Sequence, residues 1–143
     1  MTLAFKIPGK PVACMRTRST GKFHYTPKKY RDYLNTIKAR FSFAYPHLPE
    51  PMTGPVSVDC VFVMPRPKNR PKWCDRDAWR EGGELPGDHV RSDIDNLCKS
   101  ICDGLNGLAY EDDRQIVKLT ATKVMAAVGE DPAAHVTISG VEG

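Results

Sequence analysis

Nine residues in the middle of the chain, Val56 to Met64 (VSVDCVFVM), constrain the fold more than any other stretch. Val56, Val58, Cys60, Phe62 and Met64 recur at every second position, and Val61 and Val63 make alternate positions apolar as well. A period of two is that of a strand, and apolar residues on both sides imply a strand covered on both faces. Such a strand belongs in the centre of a sheet.

Other elements follow from the same kind of reading. Leu3, Phe5 and Ile7 alternate with Ala4 and Lys6, giving a short strand ended by Pro8-Gly9. Tyr30, Tyr33, Leu34, Ile37 and Phe41 recur at helical spacing, with Thr26 as N-cap and Pro27 at the first helical position, so a helix is predicted from about Pro27 to Phe43. A second helix carries Ile94, Leu97, Cys98, Ile101 and Leu105 as one buried stripe and ends at Asn106-Gly107. IVKLTATKVM and HVTIS alternate as strands, and GEDP between them suggests a hairpin. The order β-α-β-α-β-β without a regular repeat predicts an α+β fold with a mixed sheet and two main helices.

At 143 residues the chain has room for one domain, spanning 1–143, with a real core. Residues 65–92 interrupt it with Pro, Arg, Lys, Trp73 and Trp79 but no period, reading as a mobile arm for a ligand or as a tolerated insertion. No apolar run approaches the roughly 20 residues that cross a bilayer, and the N-terminal apolar segment is too short for a signal peptide. A cytoplasmic protein without membrane contact is expected. The five cysteines are an odd number without CxxC spacing, as expected for reduced thiols. Cys98 and Cys102, four apart and with His89 nearby, could be imagined on zinc, but that spacing fits no closed structural site and core thiols are the expected reading.

The net charge of +4 conceals an asymmetry. Residues 1–50 hold ten Lys or Arg against two acids, whereas residues 93–143 hold four against nine. A basic first third suits a polyanion and an acidic last third suits a divalent cation; uneven surface charge without consequence is the plain alternative.

Those acids fall into two groups around the second helix. On a helix, Asp93 and Asp95 point about 200° apart, so they converge only if Asp93 lies at or before the cap. The alternative has Ser92 as the cap and Asp95 completing a capping box, both acids serving the helix dipole. Glu111, Asp112 and Asp113 follow the turn after the helix, where a loop can fold them back to its start. Together the groups supply the hard oxygen ligands that Mg2+ prefers. Lys99 lies four residues after Asp95 and four before Asp103. As a surface ion pair it contributes a few tenths of a kcal/mol at most; beside a phosphate it stabilises charge developing in an in-line displacement. Acid, metal and lysine are the parts of phosphodiester hydrolysis.

The stretch SDIDNLCKSICDGLNGLAYEDDRQIV resembles the D-x-D-N-L-x-K, D-x-L-N-G and D-D-x-Q-V signature of the RusA family of Holliday-junction resolvases, small endonucleases of bacteria and prophages. IPGKPVACMRTR and YTPKKYRDY are similar to segments of many members, so the resemblance reaches most of the chain outside residues 65–92. It implies a homodimer acting on four-way junctions, nicking them in pairs in recombination and repair, with Mg2+ (or Mn2+ in its place). It further implies that Asp93, Asp95 and Asp113, with Asp112 beside the last, are the metal-site acids, Lys99 the essential lysine and Asn96 a residue orienting the site. Ser92 departs from the proline of many relatives.

Under this reading Arg16, Arg18, Lys22, Lys28 and Lys29 track DNA phosphates, and Lys68, Arg70, Lys72 and Arg76 extend the same surface. Trp73 is either buried or stacked on bases. The rival readings are a metal nuclease for flaps, forks or plain duplex, and a junction-binding DNA protein without catalysis.

Overall fold

The computed structural model describes residues 1–15, 18–19, 21, 24–48, 50–65 and 93–141. The chain runs β1 (Thr2–Pro8), two short paired strands β2 (Arg18–Ser19) and β3 (His24–Tyr25), α1 (Lys28–Ala44), β4 (Val56–Met64), α2 (Ile94–Leu105), one turn of 3-10 helix (Asp113–Gln115), β5 (Ile116–Met125) and β6 (Ala133–Gly140). Apart from the small β2–β3 ladder, this is the predicted α+β order. Among the described residues no helix is long and apolar enough to cross a membrane.

The main sheet has the order β1-β6-β4-β5. β6 is antiparallel to both β1 and β4, and β5 is parallel to β4. The expected hairpin between β5 and β6 is not formed, because β4 lies between them. The reason is burial: β4 has the most apolar surface to hide, so it takes a central place. β5, arriving by way of α2, joins it in parallel as a crossover connection permits.

Both helices pack on one face. Rows of side chains cross the sheet there, Phe5, Val136, Cys60 and Ala121 forming one and Leu3, Ile138, Val58 and Leu119 another. They meet Tyr33, Ile37 and Phe41 of α1 and Leu97, Cys98, Ile101 and Leu105 of α2. The opposite face is only partly covered, which corrects the two-sided expectation for β4: Val63 is buried with Val124 and Ala126, but Asp59 is exposed. Tyr45 hydroxyl protects the outer edge of β1, accepting from Ala4 N–H at 2.6 Å and donating to its carbonyl at 3.0 Å.

Two local differences from the sequence reading stand out. α1 begins one residue later than predicted, with Pro27 rather than Thr26 as N-cap and no side-chain capping bond. Ile94 is 40% exposed, while Ser100 and Gly104 are fully or nearly buried in the phase of the stripe. Gly104 is where the helices touch: a Cβ there would lie 2.8 Å from Ile37 Cγ2.

The Tyr33 hydroxyl is buried without a hydrogen-bond partner among the described residues, and burial pushes its phenol well above the usual range. The unfolded chain ionises this phenol around pH 10 while the folded chain holds the proton, so the associated stability is whole below that pH and is lost as pH rises. Tyr33→Phe is expected to raise stability by about 1 kcal/mol and to flatten the alkaline limb of a plot of Tm against pH. A lower Tm at neutral pH would show instead that the hydroxyl is satisfied.

Candidate active site

α2 opens on Asp93, which is the N-cap in an extended conformation (φ −69°, ψ 135°) without a side-chain capping bond. Asp95 is then the second helical residue, one position too early for a capping box with Ser92, which lies outside the described residues. Asp93 at the cap meets the condition under which the two acids can converge, and Asp95 takes no capping-box place. Asp95 Oδ1 accepts from the Asn96 backbone N–H at 2.9 Å, so Asn96 orients this carboxylate through its main chain.

The same turn anchors the start of the basic loop. Asn96 carbonyl accepts from Cys14 N–H at 2.9 Å, and the buried Ser100 hydroxyl lies 2.6 Å from the Val12 carbonyl, to which it donates. Residues 12–14 are thereby sewn to α2, and the chain carrying Arg16, Arg18 and Lys22 departs from beside it. Arg16 and Lys22 lie outside the described residues, as do Lys68, Arg70, Lys72, Arg76 and His89. Lys28 and Lys29 are exposed at the start of α1. The Lys28 pair with Asp32, 3.8 Å in length, is a surface contact of little energetic weight. Tyr30, next to them, donates to Asp103 Oδ2 at 2.6 Å and ties the first turn of α1 to α2. Asp103 is therefore engaged with Tyr30, whereas Lys99 turns to the cavity described below.

The acid triplet is shaped by Gln115, whose importance the sequence reading missed although the residue stands in the motif. Its side-chain oxygen accepts from Asp112 N–H at 2.9 Å, and its amide donates to the carbonyls of Met52 and Gly54, both at 2.9 Å. One side chain thus pins the 3-10 turn to the segment leading into β4. Asp112 closes the reciprocal cap: its Oδ1 accepts from Arg114 N–H at 2.9 Å and lies 3.3 Å from Arg114 Nε.

The two acids next to each other are pushed in opposite directions. The Arg114 backbone N–H holds Asp112 below the usual carboxylate range. Asp113 is raised, chiefly by sharing a hydrogen bond with Asp112, then by slight burial and by the negative charges of Asp112 and Asp103. Excess negative charge is what raises a carboxyl in this way, and a cation relieves it.

Asp95, Lys99 and Asp113 line a single open cavity of about 460 Å³ between α2 and β5. Cys98 and Cys102 share its wall, and Ile116, Val117, Lys118 and Leu119 of β5 form its floor. Burial pushes the Cys102 thiol up to about 11, so it is protonated near neutrality. Cys98 is drawn down by a hydrogen bond from Cys60, while the same bond and burial push Cys60 well up. These thiols belong to the core or its margin, as expected. Asp93 is not among the lining residues; its charge acts on Lys123 of β5, whose ammonium burial pushes below its usual range. Asp112 faces its own cap. Among the described residues no three His, Cys, Asp or Glu side chains are grouped closely enough to hold a metal ion. The fold thus brings together Asp95, Lys99 and Asp113 from the predicted set. It adds Val117 and Leu119 of β5, which the sequence marked only as strand positions.

With this geometry, the sequence comparisons have a definite meaning. Residues 8–139 match the family described as Endodeoxyribonuclease RusA, and the chain belongs to that family. It is also similar to the uncharacterised protein YqaN of Bacillus subtilis (strain 168), 34% identical over 147 residues, which covers 97% of this chain and 96% of the relative.

Proposed function

We propose that this protein is a Mg2+-dependent, structure-selective endodeoxyribonuclease that acts as a homodimer to resolve Holliday junctions by paired, symmetric nicks. The observation that carries this reading is the convergence of Asp95, Lys99 and Asp113 on one cavity in a member of an endodeoxyribonuclease family.

The donor set suits a hard cation: carboxylate oxygens stand on two segments facing one cavity, and one of them, Asp113, is raised chiefly by its hydrogen bond with Asp112 and further by nearby negative charge. Asp95 and Asp113 would hold Mg2+, with Asp93 joining from the N-cap and Asp112 standing behind Asp113. When bound, the ion offsets phosphate charge and makes water a stronger nucleophile. The remaining work belongs to the chain. Lys99 presents its ammonium to the phosphate oxygens as their charge grows in the transition state. Asn96 N–H holds Asp95 in one orientation, and Gln115 holds the turn that bears Asp113. The basic loop leaving Cys14, with Lys28 and Lys29, follows the DNA backbone and makes binding strongly salt-dependent.

The test incubates the protein with a labelled four-way junction, a flap and a duplex of matching sequence, in Mg2+ or EDTA. Symmetric nicks in the junction alone, dependent on Mg2+, are expected. Equal cutting of all three substrates would make it a general nuclease, and binding without cutting under any metal would leave a non-catalytic DNA protein.

Gln115→Ala supplies a second check. Losing its bonds is expected to cost about 1–2 kcal/mol of stability, since the site is half exposed. Junction cleavage should nonetheless fall by roughly tenfold or more, as misplacing a reacting group by an ångström can do. Unchanged cleavage would mean that the 3-10 turn does not place a reacting group.

A further inference from the structure

The cavity is larger than a phosphate group needs, and its floor is apolar. β5 is the edge strand, and its register with β4 puts Leu119 beside Val58 and Ala121 beside Cys60 on the helix-covered face. Val58 is 1% exposed and Cys60 not at all, yet Leu119 is 47% and Val117 61% exposed. α2 covers the central strand and stops short of the edge. What remains is a trough with two aliphatic side chains on its floor, Asp95 and Lys99 on one wall and Asp113 among its lining residues.

Its occupant is constrained by charge. Lys118 pairs with Ser57 and points to the opposite face of the sheet, so it is Lys99 in the wall that brings positive charge to the trough; with a phosphate held there on the endonuclease reading, the apolar floor beside it suits the uncharged part of the same ligand. A lysine on an edge strand also opposes pairing with a strand of a second copy. A nucleotide has the required make-up, with a deoxyribose and base attached directly to the phosphate.

We propose that Val117 and Leu119 seat the deoxyribose and base of the nucleotide adjoining the scissile phosphate. This rests on the endonuclease reading above and extends it to a contact at the cut site. The seat has no fixed hydrogen-bonding pattern, so it senses the presence and bulk of the base more than its identity.

The experiment compares wild-type protein, Leu119→Asn and Val117→Thr on a cleavable branched DNA and on versions carrying a single abasic nucleotide on either side of the cut. Removing the base at one of the two positions is expected to slow the wild type by about tenfold, the scale of losing one buried apolar contact. Leu119→Asn should slow cleavage of the intact DNA by a similar factor and show little further loss on the abasic DNA. Val117→Thr, which keeps the side-chain shape, should show the same non-additivity in weaker form. Both residues are exposed enough that Tm should hold in both variants. Losses that multiply, or variants that cut both substrates as the wild type does, would overturn the seat while leaving the nuclease intact. So would a variant that changes oligomeric state in sedimentation, which would assign the strip to a subunit interface. A wild-type protein that cuts no DNA would overturn the endonuclease reading and the seat with it.

Discussion

Asp95→Asn is expected to lower junction cleavage by about 1000-fold or more while binding stays equal or tightens. The substitution keeps the shape of the side chain and the hydrogen bond from Asn96 N–H, so the start of α2 has no reason to change. It removes only charge. Losing a negative charge beside a phosphate helps binding in EDTA, and losing a cation ligand removes the chemistry, so the two readouts should move apart. Asp113→Asn is expected to behave in the same way. Asp112→Asn should retain far more activity, since that carboxylate is committed to Arg114 N–H and an amide oxygen can accept the same bond. The measurement is single-turnover cleavage alongside junction affinity in EDTA. Cleavage that survives in a folded Asp95→Asn would remove Asp95 from the metal site, and a variant that loses its fold would assign it to structure.

Gly104→Ala is expected to destabilise the protein, although alanine is the better helix former by about 1 kcal/mol. Packing decides the sign. The added Cβ would lie 2.8 Å from Ile37 Cγ2, 2.9 Å from Cδ1 and 3.0 Å from Cβ. The last of these atoms is fixed to the backbone of α1 and cannot swing aside. Overpacking of this kind costs about 1–3 kcal/mol, which offsets the propensity gain and more. Because α2 carries Asp95 and Lys99, any separation of the helices is also a displacement of the site. Ile37→Ala alone should cost about 2–5 kcal/mol as a cavity, and the pair Gly104→Ala with Ile37→Ala should cost clearly less than the two added together. Chemical denaturation of the four proteins completes the cycle, and a Gly104→Ala protein that is more stable than wild type would refute the close approach.

The elements themselves were legible because each writes its period into neighbouring residues. Leu3, Phe5 and Ile7, the alternation through Val56–Met64, and the stripe from Leu97 to Leu105 all appear where their spacing placed them. The motif residues of α2 and the acid turn were legible for a different reason: specific side chains stand at specific separations, and the family match bears out that resemblance. Which acids would meet was not. Asp112 and Asp113 are adjacent and alike in sequence, but one closes a cap and the other lines the cavity. The turn that gives these touching carboxylates different roles is pinned by Gln115 reaching Met52 and Gly54, more than sixty residues away.

The sequence by itself determined the α+β class, the centrality of β4 and the candidate chemistry, since periodicity and residue type are local properties. Tertiary structure alone decided the rest. It inserted β4 between the last two strands, brought Gly104 against Ile37, tied residues 12–14 to α2 and left Val117 and Leu119 uncovered at the sheet edge. Periodicity says which face of an element is apolar, but not which neighbour covers it or where that cover ends. Those outcomes follow from contacts between residues far apart in the chain, whose energies depend on the whole packed arrangement.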